Sequence, residues 1–379
     1  MRYEIARPDG GRIDEFEGLR GLLAWWVVLG HVAHSIDLTT PYIAPVLLNV
    51  TLAVDIFIIL SGFVIARLID LKSERYLPYI TRRAFRIFPL YLVVLFISAA
   101  LLPYFLDAVQ NTPFQNHKNL LRVDQAQTAI DNLGAHLATH VPLLQGLLLS
   151  GMLEHGPFTI VGQAWSVSLE WQFYLLAPVI LLFPKTYLRM ALLLGVFVAL
   201  FFVPGASGAF LGIKMPFFGI GILSYLWAKS EGDKAASIKC ALLLAGICLF
   251  VIEFSGLRRM VPVMVWGAVC ALIYLDNTER KAITLGRRFM SLPVLVHFGD
   301  LTYAIYLVHM IPIYMTMYFL NSAGVSDFTY GVILFVSGVG VTYAASLFVN
   351  RFVEKPGMAM GRKVAKRLSG PTPSKSPVA

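Results

Sequence analysis

Charged side chains are scarce in this chain. They make up 14% of its 379 residues, where a soluble protein carries about a quarter, so water cannot be the solvent for most of the surface. Hydrophobic residues reach 57% and the mean hydropathy is +0.70; lipid is the medium that suits such a surface. Cysteine is equally sparse. Cys240, Cys248 and Cys270 lie in or beside apolar stretches, with neither paired metal-ligand spacing nor an even disulfide framework. They read as small core residues, and no metal site is expected. A cleavable leader is not expected either: acidic residues precede the first apolar run and no small-x-small site follows it, so the first helix reads as retained. There is no internal repeat of the inverted kind that many transporters carry, and nothing suggests a second, soluble domain.

What is present is a series of apolar stretches, each near the ~20 residues that span a bilayer core. They fall at about 19–37, 47–69, 87–106, 160–183, 187–204, 208–228, 238–255, 260–276, 294–319 and 329–350. The fold expected is an all-α membrane protein, a bundle of about ten transmembrane helices occupying residues 1–368. A Ser/Pro/Lys-rich tail, 369–379, is expected to be disordered. The long non-spanning segment is 107–158, whose 140–153 part could form a short interfacial or re-entrant helix.

Orientation follows from lysine and arginine. With ten spans and both termini cytoplasmic, all but five of the 31 basic residues fall on the inner side. The exceptions are Lys118, Arg122, Lys214, Arg258 and Arg259. The net charge of +9 is therefore topological, not one contiguous groove, and no nucleic-acid partner is expected.

Ionisable residues at bilayer depth cost at least about 2.5 kcal/mol each on insertion scales and call for a partner or a purpose. Arg20 stands at the inner mouth of the first span. His31 follows eleven residues later, on the same helical face and ~16 Å deeper. Asp55, Glu170 and His309 reach similar depth from three other spans, which predicts one polar cavity inside the bundle. His31 is the candidate catalytic base, since an imidazole suits proton abstraction from a hydroxyl near neutral pH. Asp55 and Glu170 are candidates to orient or stabilise it. Arg83 and Arg86, at i and i+3, project from one side of a helix and with Arg20 could clamp phosphate oxygens. Each has a bland alternative: topology charge for the arginines, which is favoured for Arg82, and hydrogen-bonded packing for the histidines.

Four segments carry a resemblance. They are Arg20 through His31 (Arg-x10-His), Val54-Asp55-Ile56-Phe57-Ile58-Ile59-Leu60-Ser61-Gly62-Phe63, Arg83-Ala84-Phe85-Arg86-Ile87-Phe88-Pro89-Leu90-Tyr91, and Trp165 through Tyr174. Tyr303 to His309 and Lys214 to Gly219 match more loosely. In this order and topology the sequence resembles the membrane-bound acyltransferase-3 family, O-acetyltransferases of cell-surface polysaccharides and some antibiotics. The resemblance implies about ten helices, a cytoplasmic acyl-coenzyme A donor with acetyl-coenzyme A the default, no tightly bound cofactor, and an acceptor hydroxyl on a sugar or glycan at the far side. It implies that Arg20 and His31 carry activity, with Arg83 and Arg86 near the donor. Trp165, Ser61, Tyr303, His309 and Lys214 are candidates for acceptor or support roles. Lys214 stands where the family pattern leads one to expect arginine.

The mechanism expected is a single conduit: phosphates at the arginines, the thioester threaded along the Arg20–His31 face, and His31 taking the acceptor's proton. Ser61 is a weak candidate for an acyl-enzyme nucleophile. The competing readings are a transporter or flippase, for which a mid-membrane polar cavity is equally natural, and a non-catalytic scaffold or sensor. The partners expected are acyl-coenzyme A, a hydroxyl acceptor and membrane lipid; the sequence is silent on oligomeric state.

Overall fold

A computed structural model describes residues 11–38, 48–72, 74–182, 186–230, 233–274 and 281–369. Its helices are α1 (Asp14–Ser35), α2 (Val50–Lys72), α3 (Tyr76–Gln110), α4 (His117–Asp131), α5 (Leu133–His140), α6 (Trp165–Leu182), α7 (Tyr187–Phe201) and α8 (Leu211–Lys229). They continue with α9 (Lys234–Ser255), α10 (Met260–Tyr274), α11 (Lys281–Met290), α12 (Pro293–Asp300), α13 (Thr302–Val308), α14 (Met310–Asn321), α15 (Asp327–Val349) and α16 (Lys355–Leu368). No strand occurs among the described residues. The protein is an all-α, multi-pass membrane protein.

Helix ends follow local chemistry. Acidic Asp14, Glu15 and Glu17 occupy the first turn of α1, where they complement the helix dipole. Side-chain caps start α4 (Asn116), α7 (Thr186), α9 (Asp233) and α15 (Ser326), each accepting a backbone N–H that the first turn leaves free.

Among the described residues, eight helical segments are long and apolar enough to cross a membrane, and they coincide with eight of the ten expected stretches. The other two stretches are also helical. α1 has 22 residues, but its Arg20, His31 and His34 lower its hydropathy. α7 has 15 residues, short for a full crossing.

The expected ninth stretch, 294–319, is divided. Residues 293–300 form the separate helix α12, whose Asp300 accepts from Arg12 Nη1 at 2.7 Å, tying it to the start of α1. The crossing segment is α13–α14, interrupted at His309. Pro312 lacks the N–H that would bond the Val308 carbonyl one turn back, which accounts for the interruption. The 140–153 segment forms no helix beyond the single 3-10 turn Gln145–Leu147; Pro142, left-handed Leu143 and Gly151 break it up. Four helices were not foreseen: polar α4 and short α5 in the 107–158 segment, α11 before the ninth stretch, and amphipathic α16 after the last span. The tail lies outside the described residues beyond Ser369.

Close backbone approach holds the centre of the bundle. A Cβ at Gly62 would collide with the Phe218 carbonyl, and one at Gly221 with that of Ile59, so α2 and α8 cross at a distance only glycine permits. Around this crossing Phe173 stacks on Phe218 at 4.0 Å and Phe16 on Trp266 at 5.4 Å. The periphery is the reverse: on α9 only Val251 is buried, while Leu242 and Leu249 are each 67% exposed. Apolar side chains so placed face lipid.

Candidate functional site

Among the described residues, the polar groups of the bundle are divided between separate cavities. The end carrying Lys72, Arg82 and Arg362 is called the basic end here, and the end carrying α4 the far end. The inner cavity, about 440 Å³, reaches toward the basic end. The outer cavity, about 330 Å³, lies beneath α4 and the loop before α6. Their linings have two residues in common, Val54 and Tyr306. These side chains are the wall between them.

The inner cavity concentrates positive charge. Arg20, Lys72, Arg82, Arg83, Arg86 and Arg362 line it, against one carboxylate, Glu170. Arg20 is paired to Glu17 at 3.0 Å, and Arg82 to Glu74. Arg83 lies over the Tyr174 ring, 5.7 Å from its centroid, and its buried Nε has no hydrogen-bond partner. Arg86 Nη1 contacts Met358 Sδ at 3.6 Å, and the buried Glu354 carboxylate offsets part of its charge. An orphaned guanidinium N–H among cations that outnumber their carboxylates is a fitting contact for phosphate oxygens.

Helix α6 presents two polar faces, each following the i,i+4 rule. Ser166, Glu170 and Tyr174 look into the inner cavity. There the Tyr174 hydroxyl donates to Glu170 Oε1, and Ser61 Oγ donates to the same oxygen at 3.4 Å. On the other face, Ser168 Oγ accepts from Gly146 N at 3.1 Å and donates to the Leu143 carbonyl at 2.7 Å. Gln172 spans to the Ala209 carbonyl at 2.9 Å and to Leu211 N at 3.0 Å. That second face is a clamp for two loops.

The outer cavity contains His31, His34, Trp165, Lys118 and Arg122. Arg122 Nη2 lies 3.2 Å from His31 Nδ1. A guanidinium only donates, so Nδ1 accepts and His31 carries its proton on Nε2. His309, wholly buried, packs beside it with ring centroids 5.2 Å apart. His309 Nδ1 donates to the Tyr306 carbonyl at 2.8 Å, which leaves Nε2 bare and without a partner. The contact between the two rings is one of packing, with no hydrogen bond between them. Among the described residues, no three His, Cys, Asp or Glu side chains are gathered to hold a metal ion.

These positions correct several expectations. Arg20 and His31 do not line one cavity; Arg20 borders the inner one and His31 the outer one, and Val54 and Tyr306 border both. Neither Asp55 nor Glu170 contacts His31. Asp55, fully buried, is held by Lys214 at 2.5 Å and by Arg259 at 2.8 Å, one cation on each oxygen. The Lys214 ammonium also lies over the Trp165 ring at 5.9 Å, so this pair backs the outer cavity's wall. Ser61 and Tyr303 line the inner cavity, and the Tyr303 hydroxyl is spent on the Ile87 carbonyl at 2.7 Å. Arg20, Arg83 and Arg86 do come together as expected.

Sequence reasoning missed Arg122, Tyr306 and Arg362, and read Arg82 as topology charge. The signal for Arg362 was available in the basic, amphipathic period of 355–368. For Arg122 it was the Asn119/Arg122 pair at i,i+3 on a polar helix.

Comparison with known proteins adds one match. A search of curated proteins and one of solved structures each found nothing similar. A family model described as an acyltransferase domain matches residues 13–347, nearly the whole chain and every motif above. The chain belongs to the membrane acyltransferase-3 family.

Proposed function

We propose that this membrane acyltransferase is an acyl-coenzyme A-dependent O-acyltransferase that works across the bilayer. The donor, with acetyl-coenzyme A the first expectation, enters the inner cavity from the cytoplasm. The acceptor is a hydroxyl of a sugar or glycan that enters the outer cavity from the other side. The observation that carries this reading is the pair of adjoining cavities, one lined by five arginines and the other holding His31 and His34, with Val54 and Tyr306 bordering both.

Arg20, Arg83, Arg86 and Arg362 hold the donor's phosphates, and the thioester arm extends toward Tyr306. The Tyr306 hydroxyl is hydrogen-bonded to Ser166 Oγ at 2.7 Å and the Gln163 carbonyl at 2.8 Å. A rotamer change there, with Val54, joins the chambers and brings the thioester carbonyl to His31. His31 takes the acceptor hydroxyl's proton, the oxygen attacks the thioester carbon, and the C–S bond breaks. The imidazolium returns the proton to the departing thiolate. Excluding water until both substrates are seated protects the thioester from hydrolysis.

The test uses purified protein in liposomes with acyl-labelled coenzyme A. His31→Ala should bind donor like the wild type and lose transfer by a factor of at least about 10². Undiminished transfer by that variant would remove the mechanism. Solute movement without acyl transfer would support transport instead.

A further inference from the structure

Arg122 differs from the other buried or half-buried arginines that have charged partners. Arg20 pairs with Glu17, Arg82 with Glu74, Arg259 with Asp55 and Arg287 with Glu15. Arg122 projects from α4 into the outer cavity and holds neutral groups alone: Ser35 Oγ at 2.8 Å, Asn119 Oδ1 at 3.0 Å and His31 Nδ1 at 3.2 Å. The nearby carboxylate on its own helix, Asp124, is engaged by His155 at 2.7 Å. Lys118, one turn earlier, adds a second cation at the rim, and among the described residues no Asp or Glu lines the cavity. A half-buried guanidinium without an anion is an expensive arrangement unless a ligand completes it.

Its position is as informative as its charge. Arg122 donates to the one nitrogen of His31 that has a lone pair. While that bond lasts, His31 cannot accept a proton from a hydroxyl. A carboxylate or phosphate offers the guanidinium two parallel bonds and a full opposite charge, where the imidazole offers one lone pair and no charge, so an anion entering the cavity outcompetes the imidazole.

We propose that the outer cavity takes an acceptor bearing an anionic group, a carboxylate or a phosphate, which Arg122 binds, and that this binding draws the guanidinium off His31 and uncovers the base. The inference rests on the acyl-transfer reading above and adds the acceptor's class to it. The sequence is then ordered: the anion pairs with Arg122, His31 Nδ1 becomes free, and the neighbouring hydroxyl loses its proton to it as its oxygen attacks the thioester. Neutral sugars, which cannot compete for the guanidinium, leave the base covered.

The experiment compares glucose, glucuronate and glucose 6-phosphate as acceptors for the full-length protein in liposomes, with wild type, Arg122→Gln and Arg122→Lys. Wild type should use at least one charged sugar about tenfold or more better than glucose in kcat/KM; which one it prefers tells a sugar acid from a sugar phosphate. In Arg122→Gln the ratio of charged to neutral should fall to near one, and Arg122→Lys should keep part of it. Stabilisation of Arg122→Gln by coenzyme A, as for wild type, shows that the inner cavity is intact. The charged sugar should also raise the melting temperature of wild type but not of Arg122→Gln. Equal use of all three sugars by wild type overturns the inference and leaves the acyl-transfer reading standing, as does an unchanged ratio in Arg122→Gln. Failure to release coenzyme A with any acceptor overturns both.

Discussion

Asp55 and Glu170 are carboxylates at similar depth in neighbouring spans, and their surroundings give them different work. Glu170 sits in a cavity among arginines, with Tyr174 and Ser61 as its donors. Asp55 is sealed between Lys214 and Arg259. Removing one partner of a buried pair strands the other charge, at a cost of about 3–5 kcal/mol. Asp55→Ala should therefore lower thermal stability in detergent sharply, because Lys214 is only 4% exposed; a melting temperature within a degree or two of wild type would contradict that structural role. The sequence singled out Asp55, Glu170, His31 and His309 by their cost in lipid and placed them at one depth. It could not say which would meet, because helix rotation and tilt are set by packing across the bundle. Only His31 and His309 are brought together.

Among the elements, α16 and the α5 loop show what packing adds to pattern. Two glycines four residues apart, Gly357 and Gly361, let α16 lie against α3; added Cβ atoms would run into Pro89 and Phe85. This contact carries Met358 and Arg362 to the inner cavity. Gly361→Leu should push α16 away and raise the Kd for coenzyme A about tenfold, in line with an overpacking cost of about 1–3 kcal/mol, while His31 and the outer cavity stay as they are. A donor titration by coenzyme A-dependent stabilisation reads this directly.

At the far end, α5 is pinned by histidines. His140 Nε2 meets the Gly156 carbonyl at 3.0 Å and Thr159 Oγ1 at 3.1 Å, and the same hydroxyl lies 2.9 Å from His136 Nδ1. Burial lowers the His140 pKa to about 4 and lowers that of His136 as well. An unfolded histidine titrates near 6.5, so between those values the unfolded loop binds more protons than the folded one. The loop's stability is full above pH 6.5 and falls as pH drops toward 4. Proteolysis within 141–161 should quicken over that window, with a weaker pH dependence in His140→Gln; a flat profile in wild type would refute the assignment. Long apolar runs made the spans legible. Helices α4 and α16 were not, because a polar helix packed on a membrane bundle has no hydropathy signature of its own.

For the molecule as a whole, class and family were legible because the motifs are dispersed across the chain in a fixed order, which composition alone cannot supply. The two chambers were not legible. A cavity is what side chains from many helices leave unfilled, and although Val54 and Tyr306 fall within the resembling segments, nothing in their residue types marks them as the wall between two chambers. Sidedness is the consequence that matters most. If arginines and histidine face opposite compartments, donor and acceptor need never share one.

The direct test uses liposomes holding the protein in one orientation. Acyl-labelled coenzyme A is supplied on the side of the basic end alone, and a membrane-impermeant hydroxyl acceptor on the far side alone. Label should appear on the acceptor with wild type and be absent with His31→Ala. Transfer that occurs only when donor and acceptor are placed on the same side would contradict the account.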